Sequence, residues 1–504
     1  MSQVGPDLPP PPPLPMKVDG AVEAAGEPPR SGRVSSHRSY LAAAVLCYIN
    51  LVNYMDWFTV AGKPVLQDIQ KYFSLDDSTA GLLHTGFILC FLFAAPLFGY
   101  LGDRYNRKII LSAGIVFWSG ITFGSSFIPG TMAWLFFLAR GLVGVGTTSY
   151  STLAPTIIAD LFEKDRRTWL LSIFYIFIPV GSGLGYILSS GMAQATGFWG
   201  WGFRVTPCMG LVGVVLLVTL VPASTRRTVE THVTTHPREA GAHSTWSQDV
   251  WSLCKNRSFV CSSLGVTAMA FITGALGFWM PAFFDRAQIV LGLIQPCLKE
   301  PCNATNSLIF GGMTIATGIL GVVSGAKAAR RYKKVNAKAD PLICALGLLA
   351  SAPCLYLAIM LAGESIMATY IFVALGEFLI SLNWAVVTDI LLYVVKPERH
   401  STAVSLQLFV AHLLGDAGSS YLLGIISSAI QKSRGSASHF SSFRSLQYSF
   451  VVCTFVSVLG GGFFLLTALY IEEDQRKAAP PVQGTENKSY ISDEAELRGG
   501  IPAM

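Results

Sequence analysis

Long apolar runs with almost no charge succeed one another along this chain, and they leave it few ways to fold. Each is about 20 residues or longer, the length at which an α-helix crosses the hydrocarbon of a bilayer. They predict an all-α membrane protein with twelve transmembrane helices near Tyr40–Val60, Ala80–Leu101, Lys108–Ile128, Ala133–Leu161, Thr168–Ala193, Arg204–Val221, Phe259–Phe284, Ser307–Lys327, Asp340–Ala362, Ile366–Val395, Thr402–Ile430 and Leu446–Ile471. A soluble reading of 504 residues as several domains fails on composition. Only 13% of residues are charged and 52% are hydrophobic, about half the charge of an ordinary soluble domain. The net charge of +6 is spread over the loops, which fits membrane orientation rather than nucleic-acid binding. Histidine and cysteine lack ligand spacing, so no metal site or cofactor is expected.

The segments outside the runs set the expected domains. Residues 1–38, with Pro9 to Pro13, read as a disordered tail holding a short polyproline stretch, either a plain linker or an SH3-type ligand. No signal-peptide pattern opens the chain. A six-helix half at 39–222, a polar linker at 223–257, a second six-helix half at 258–472 and a disordered tail at 473–504 follow. Basic residues gather in alternate loops: Arg104, Arg107 and Lys108, then Lys164, Arg166 and Arg167, then Lys327 to Lys334, then Lys396 and Arg399. With twelve crossings they share one side, so both termini are expected in the cytoplasm. The loop Leu291–Asn306 lies opposite. It carries Cys297 and Cys302, either bridged or two free thiols, and the sequon Asn303-Ala304-Thr305, a glycosylation candidate. The halves look like parallel repeats: Pro155 to Asp160 with Arg166-Arg167-Thr168 recurs as Ala385 to Asp389 with Arg399 to Thr402.

Between the second and third runs stands Gly99-Tyr100-Leu101-Gly102-Asp103-Arg104-Tyr105-Asn106-Arg107-Lys108. Its spacing resembles the signature loop of the major facilitator superfamily, which implies two six-helix halves and alternating access. Asp103, Arg104 and Arg107, together with Asp160 and Asp389 at helix ends near basic loops, read as gating groups.

Polar side chains inside spans are costly and mark interior or functional positions. Asp56 has no basic neighbour in sequence, so its partner comes from another helix or it carries a proton part of the time; a structural acid bonded to backbone donors is the alternative. Arg140, Gly144 and Thr147 or Thr148 share a face of the fourth span, where Arg140 either pairs with an acid or meets an anionic head group. Glu377 lies deep in the tenth span, with Asn383 nearby. His412 and Asp416 are four residues apart and can touch, giving either a packed histidine or one that meets a phosphate or relays a proton.

Across Tyr40 to Ile471 the chain resembles the Spinster family of that superfamily. Carrying the resemblance are Asn53-Tyr54-Met55-Asp56, Phe98 to Lys108, Ser125-Ser126-Phe127-Ile128-Pro129, Arg140 to Gly146, Pro179 to Tyr186 and His412 to Ser419. It implies a carrier of sphingosine-1-phosphate, other sphingoid lipids or lysophospholipids, without enzymatic activity and with an ion- or proton-linked step in some members. The chain departs from the family where Trp57 replaces an Arg and Thr147 and Thr148 replace a Glu; a charge pair is lost together, which leaves no lone buried charge. On this reading the substrate tail lies against aromatic and Met side chains while its head meets Asp56, Arg140, Glu377, Asn383 and His412; Trp57, which adds apolar and indole contacts, Thr147 and Asp416 complete the substrate-binding or coupling candidates. A carrier of small organic anions and a non-transporting receptor or scaffold are the rival readings. The expected partners are the bilayer, a lipid substrate and protons, the expected state a monomer, and the expected residence the plasma or endolysosomal membrane.

Overall fold

A computed structural model describes residues 36–62, 65–162, 164–221, 246–296, 304–336, 338–396, 399–434 and 438–478. Cys297, Cys302 and Asn303 fall outside the described residues, as do the side chains of Asp103 and Asp160. Every described element is helical, as a backbone immersed in lipid requires when it must satisfy its own hydrogen bonds.

The first half comprises α1 (Ser36–Phe58), a short α2 (Val65–Tyr72), α3 (Asp77–Arg104), α4 (Arg107–Ser125), α5 (Ala133–Leu161), α6 (Lys164–Thr196) and α7 (Gly202–Leu220). A short helix α8 (Trp246–Lys255) precedes the second half. That half comprises α9 (Arg257–Val290), α10 (Thr305–Tyr332), α11 (Ala339–Leu361), α12 (Ile366–Ser381), α13 (Trp384–Val394), α14 (His400–Val410), α15 (Gly418–Arg434) and α16 (His439–Ala478). Eleven spans among the described residues are long and apolar enough to cross a membrane. The remaining expected span is α5, whose 29 residues are long enough but carry Arg140 and the run Thr147-Thr148-Ser149-Tyr150-Ser151-Thr152, which lower its hydropathy.

Two spans differ from plain helices. The tenth breaks at Leu382–Asn383 into α12 and α13, and the eleventh carries a π-helical turn, Ala411–Ala417, between α14 and α15. Helix α1 already begins at Ser36 and α16 runs on to Ala478, a few residues past the expected tail boundaries. At the latter end Lys477 pairs with Glu473 one turn back at 2.7 Å and supports the last turn. Asp76 starts α3 by accepting from Thr79 N at 2.9 Å and from Ser78 Oγ at 2.8 Å. Partial burial pushes its carboxyl up, but these bonds outweigh that and hold it at about 2.

Ser36 and Ala478 lie at one face of the bundle, here the terminal face; the other is the distal face. The buried apolar side chains form two cores. One belongs almost wholly to the first half, around Leu46, Trp118, Tyr150 and Phe174. The other is continuous across both halves at the distal end, joining Val60, Phe73, Phe136 and Trp199 to Trp279, Phe283, Phe310 and Phe450. Large apolar side chains such as Phe93, Trp134, Leu346 and Leu469 stay exposed, as a lipid-facing surface allows.

Candidate functional site

The seam between the halves is built at the distal end. Asp77 at the start of α3 takes a bidentate pair from Arg286 of α9, with Nη1 to Oδ2 at 2.8 Å and Nη2 to Oδ1 at 2.7 Å. Ser427 Oγ of α15 donates to the same carboxylate at 2.7 Å, and Gln70 Nε2 of α2 does so at 3.1 Å. Ser78 N donates to Ser428 Oγ at 3.1 Å, and Thr85 Oγ1 to Ala417 O at 2.6 Å. On the other flank Tyr186 of α6 donates to Gly277 O at 2.5 Å and meets Phe310 edge-on. There α6 and α10 approach so closely that a Cβ on Gly311 would stand 2.9 Å from Ile187. All these contacts use the distal parts of α3 and α6. The terminal parts of α3 and α6 carry none of these contacts, which puts the space between the halves on that side.

Three predicted residues face that space from the second half. The π turn carries His412 and Asp416, and His412 Nδ1 lies 2.6 Å from Asp416 Oδ2. This bond engages Nδ1 and leaves Nε2 for another partner. Gly415 lets the turn sit against α9, since a Cβ there would stand 2.7 Å from Ala270. Both side chains keep some exposure, 27% for His412 and 18% for Asp416. Phe91 of α3 faces the imidazole edge-on at 6.2 Å, and Tyr54 of α1 is within electrostatic range of Asp416. Glu377 of α12 accepts from Thr317 Oγ1 of α10 at 3.2 Å and lies within range of Tyr186. It is partly exposed and has no ion-pair partner among the described residues.

The other predicted contacts are elsewhere. Asp56 is 2% exposed and turns into the first half, accepting from Thr206 Oγ1 of α7 at 2.9 Å and Thr122 Oγ1 of α4 at 3.4 Å. Arg140 Nη1 of α5 stands 4.0 Å from its carboxylate. The Arg140 guanidinium lies over Phe87 at 5.3 Å and Phe203 at 5.8 Å. Trp57 is buried, stacked on Tyr54 and edge-on to Phe87 at 4.6 Å and Phe91 at 5.3 Å. Phe87, Trp57 and Phe91 thus stand in a row between Arg140 and His412. Thr147 is buried in α5. Asn383 is fully buried at the α12–α13 break, close to Gly347 of α11.

Of the gating candidates, Arg104 lies over the Tyr100 ring at 4.5 Å and Arg107 Nε donates to Gly102 O at 3.1 Å. Asp389 is exposed in the field of Lys333 and Asp340, which pair with each other at 3.2 Å. The residues that hold the distal seam, Asp77 and Arg286 above all, were not singled out in the sequence. Their one signal was an acid at a span's start and a base near another span's distal end.

The Major Facilitator Superfamily pattern matches residues 46–419. The chain is 57% identical over 463 residues to protein spinster homolog 3 of Mus musculus, covering 92% of this chain and 89% of the relative. The chain belongs to the Spinster family of the major facilitator superfamily. It is therefore a multi-pass membrane transporter and not an enzyme. Protein spinster homolog 1 of Homo sapiens is 53% identical, covering 92% of this chain and 86% of that one. Among solved structures, a bacterial homolog of the human lysosomal transporter Spinster, inward-facing and unoccupied, superposes with TM-score 0.73 at 19% identity, covering 89% of this chain and all of that one. A D-xylose–proton symporter superposes with TM-score 0.61 at 18% identity, covering 88% of this chain and 99% of that one. For this Spinster-family chain these two likenesses establish the two-half fold.

Proposed function

We propose that this transporter moves a single-chain amphiphile, a sphingoid lipid such as sphingosine-1-phosphate or a lysophospholipid, by alternating access. The observation that carries the reading is the pairing of two kinds of surface around one space. Glu377 and the His412–Asp416 pair offer polar contacts from the second half, while the half-buried Tyr54 and Phe91 offer aromatic faces from the first. An amphiphile needs both, its head on the charged groups and its tail along the rings. A small organic anion has no tail to lay along the aromatic faces of Tyr54 and Phe91, which is why the amphiphile is the preferred reading. With the basic loops taken as cytoplasmic, the face opposite the closed seam is the inner one, and the arrangement reads as an inward-open state. Asp56 with Arg140, and Glu377, are the groups through which a proton-linked step would act.

Purified protein in proteoliposomes, given labelled sphingosine-1-phosphate or lysophosphatidylcholine under imposed proton and substrate gradients, tests this. Substrate-dependent flux is expected, with Glu377→Gln and His412→Asn each lowering it about tenfold or more, since each removes a charge-assisted contact. Absence of flux for every lipid of these two classes under every gradient overturns the carrier reading. Introducing Trp57→Arg with Thr147→Glu then distinguishes a scaffold, which stays silent, from a carrier that lost its coupling charges.

A further inference from the structure

Helix α8 ends at Lys255 and the membrane span α9 starts at Arg257, with Asn256 alone between them. That leaves α8 no room to depart from the membrane boundary. Asn256 fixes the junction twice: its Oδ1 accepts from Phe259 N at 2.9 Å to cap α9, and its Nδ2 donates to Val394 O at the end of α13 at 2.7 Å. One face of α8 is docked on the protein. Leu253 is buried, Asp249 Oδ1 lies 2.7 Å from Arg399 Nε, and Arg399 Nη1 donates to Ser252 Oγ at 2.7 Å. The opposite face, Ser247, Gln248, Trp251, Cys254 and Lys255 at helical spacing, is exposed. Trp251 is 65% exposed, and Lys255 Nζ sits over its ring at 5.1 Å. Exposed Arg257 and Lys396 adjoin this face.

A tryptophan and a lysine side by side, one residue from the start of a span and amid further cations, match the level where acyl chains give way to head groups. We propose that α8 is a membrane-surface helix whose Trp251–Lys255 face binds anionic phospholipid head groups of the leaflet at the terminal face. Its docked face holds Arg399, the residue from which α14 starts, and α14 leads into the π turn that carries His412. Lipid held on α8 therefore steadies the arm on which that histidine stands. This goes beyond the transport reading and does not depend on it.

The test uses the full chain in nanodiscs of phosphatidylcholine, with or without phosphatidylserine. The difference in fluorescence between the wild type and Trp251→Phe isolates this residue from the other tryptophans of the chain. That difference is expected to be quenched by bromine-labelled lipid and protected from aqueous iodide. Phosphatidylserine is expected to slow amide exchange across α14, with Lys255→Gln weakening that dependence about fivefold, the share of one basic residue at an anionic surface. Quenching by iodide and not by lipid, as for a face turned to water or covered by another protein, overturns the proposal. So does a phosphatidylserine effect that Lys255→Gln leaves unchanged. Neither readout requires transport, so a protein without flux still answers the question.

Discussion

Asp56 and Arg140 are each 2% exposed and 4.0 Å apart, too far for a direct hydrogen bond. Two hydroxyls, from Thr206 and Thr122, satisfy the carboxylate in part. Such a pair contributes little net stability compared with an apolar replacement, yet breaking it leaves one charge in a low-dielectric interior. Arg140→Met should therefore cost about 3–5 kcal/mol. Asp56→Asn on top of Arg140→Met should recover much of the loss, because no lone charge remains. Thermal unfolding in detergent checks both; a double variant no more stable than the single Arg140→Met would show that the pair is not what holds this region. The same logic accounts for Trp57. Trp57 packs its indole among Tyr54, Phe87 and Phe91, and with Thr147 also uncharged neither position adds a buried charge that needs a partner.

At the level of elements, the seam between α6 and α10 depends on missing side chains. Ile187 occupies the space that a Cβ on Gly311 would take, and Gly183 faces Ile315 on the same terms. A Leu at position 183 cannot be housed without parting the two helices, which are embedded in a shared core. Gly183→Leu is expected to leave both halves folded, with unchanged helix content by circular dichroism, while abolishing the distal-closed state. Cysteine pairs placed across α6 and α10 would then fail to crosslink; efficient crosslinking in the variant would mean that the glycine is dispensable. The π turn is the second element of note. Such turns interrupt a helix where a function repays the poorer hydrogen bonding, and here it sets His412 and Asp416 toward the space between the halves.

Across the whole molecule, the balance between states rests on contacts that only one state makes. Asp77 with Arg286, Ser427 and Gln70 is the most connected of them. Asp77→Asn keeps the shape and removes the charge, worth about 1.5–3 kcal/mol of charge-assisted bonding, or about tenfold or more in population. Spin labels at positions 72 and 440, both exposed near the distal face, should report longer distances in Asp77→Asn than in the wild type. An unchanged distance distribution would show that the latch does not set the equilibrium.

What the sequence determined by itself is what depends on near neighbours along the chain. The spans were legible because a run of apolar residues near 20 long has one low-energy fate in lipid, a helix that closes its own hydrogen bonds. The His412–Asp416 contact was legible for the same reason, as four residues bring two side chains together on any helix. The break at Asn383 and the π turn were not, because they answer to the packing of α11 and α9 rather than to local preference. Nor was it visible that Asp56 turns inward to Arg140 while Glu377 and His412 turn to the space between the halves. Each of these spans has several faces, and the face that meets protein, lipid or cavity is settled only when all the helices are in place. The Asp77–Arg286 latch joins residues from opposite halves, and its existence depends on which end of the bundle is closed. That choice belongs to the tertiary structure alone, since the same helices pack with either end shut.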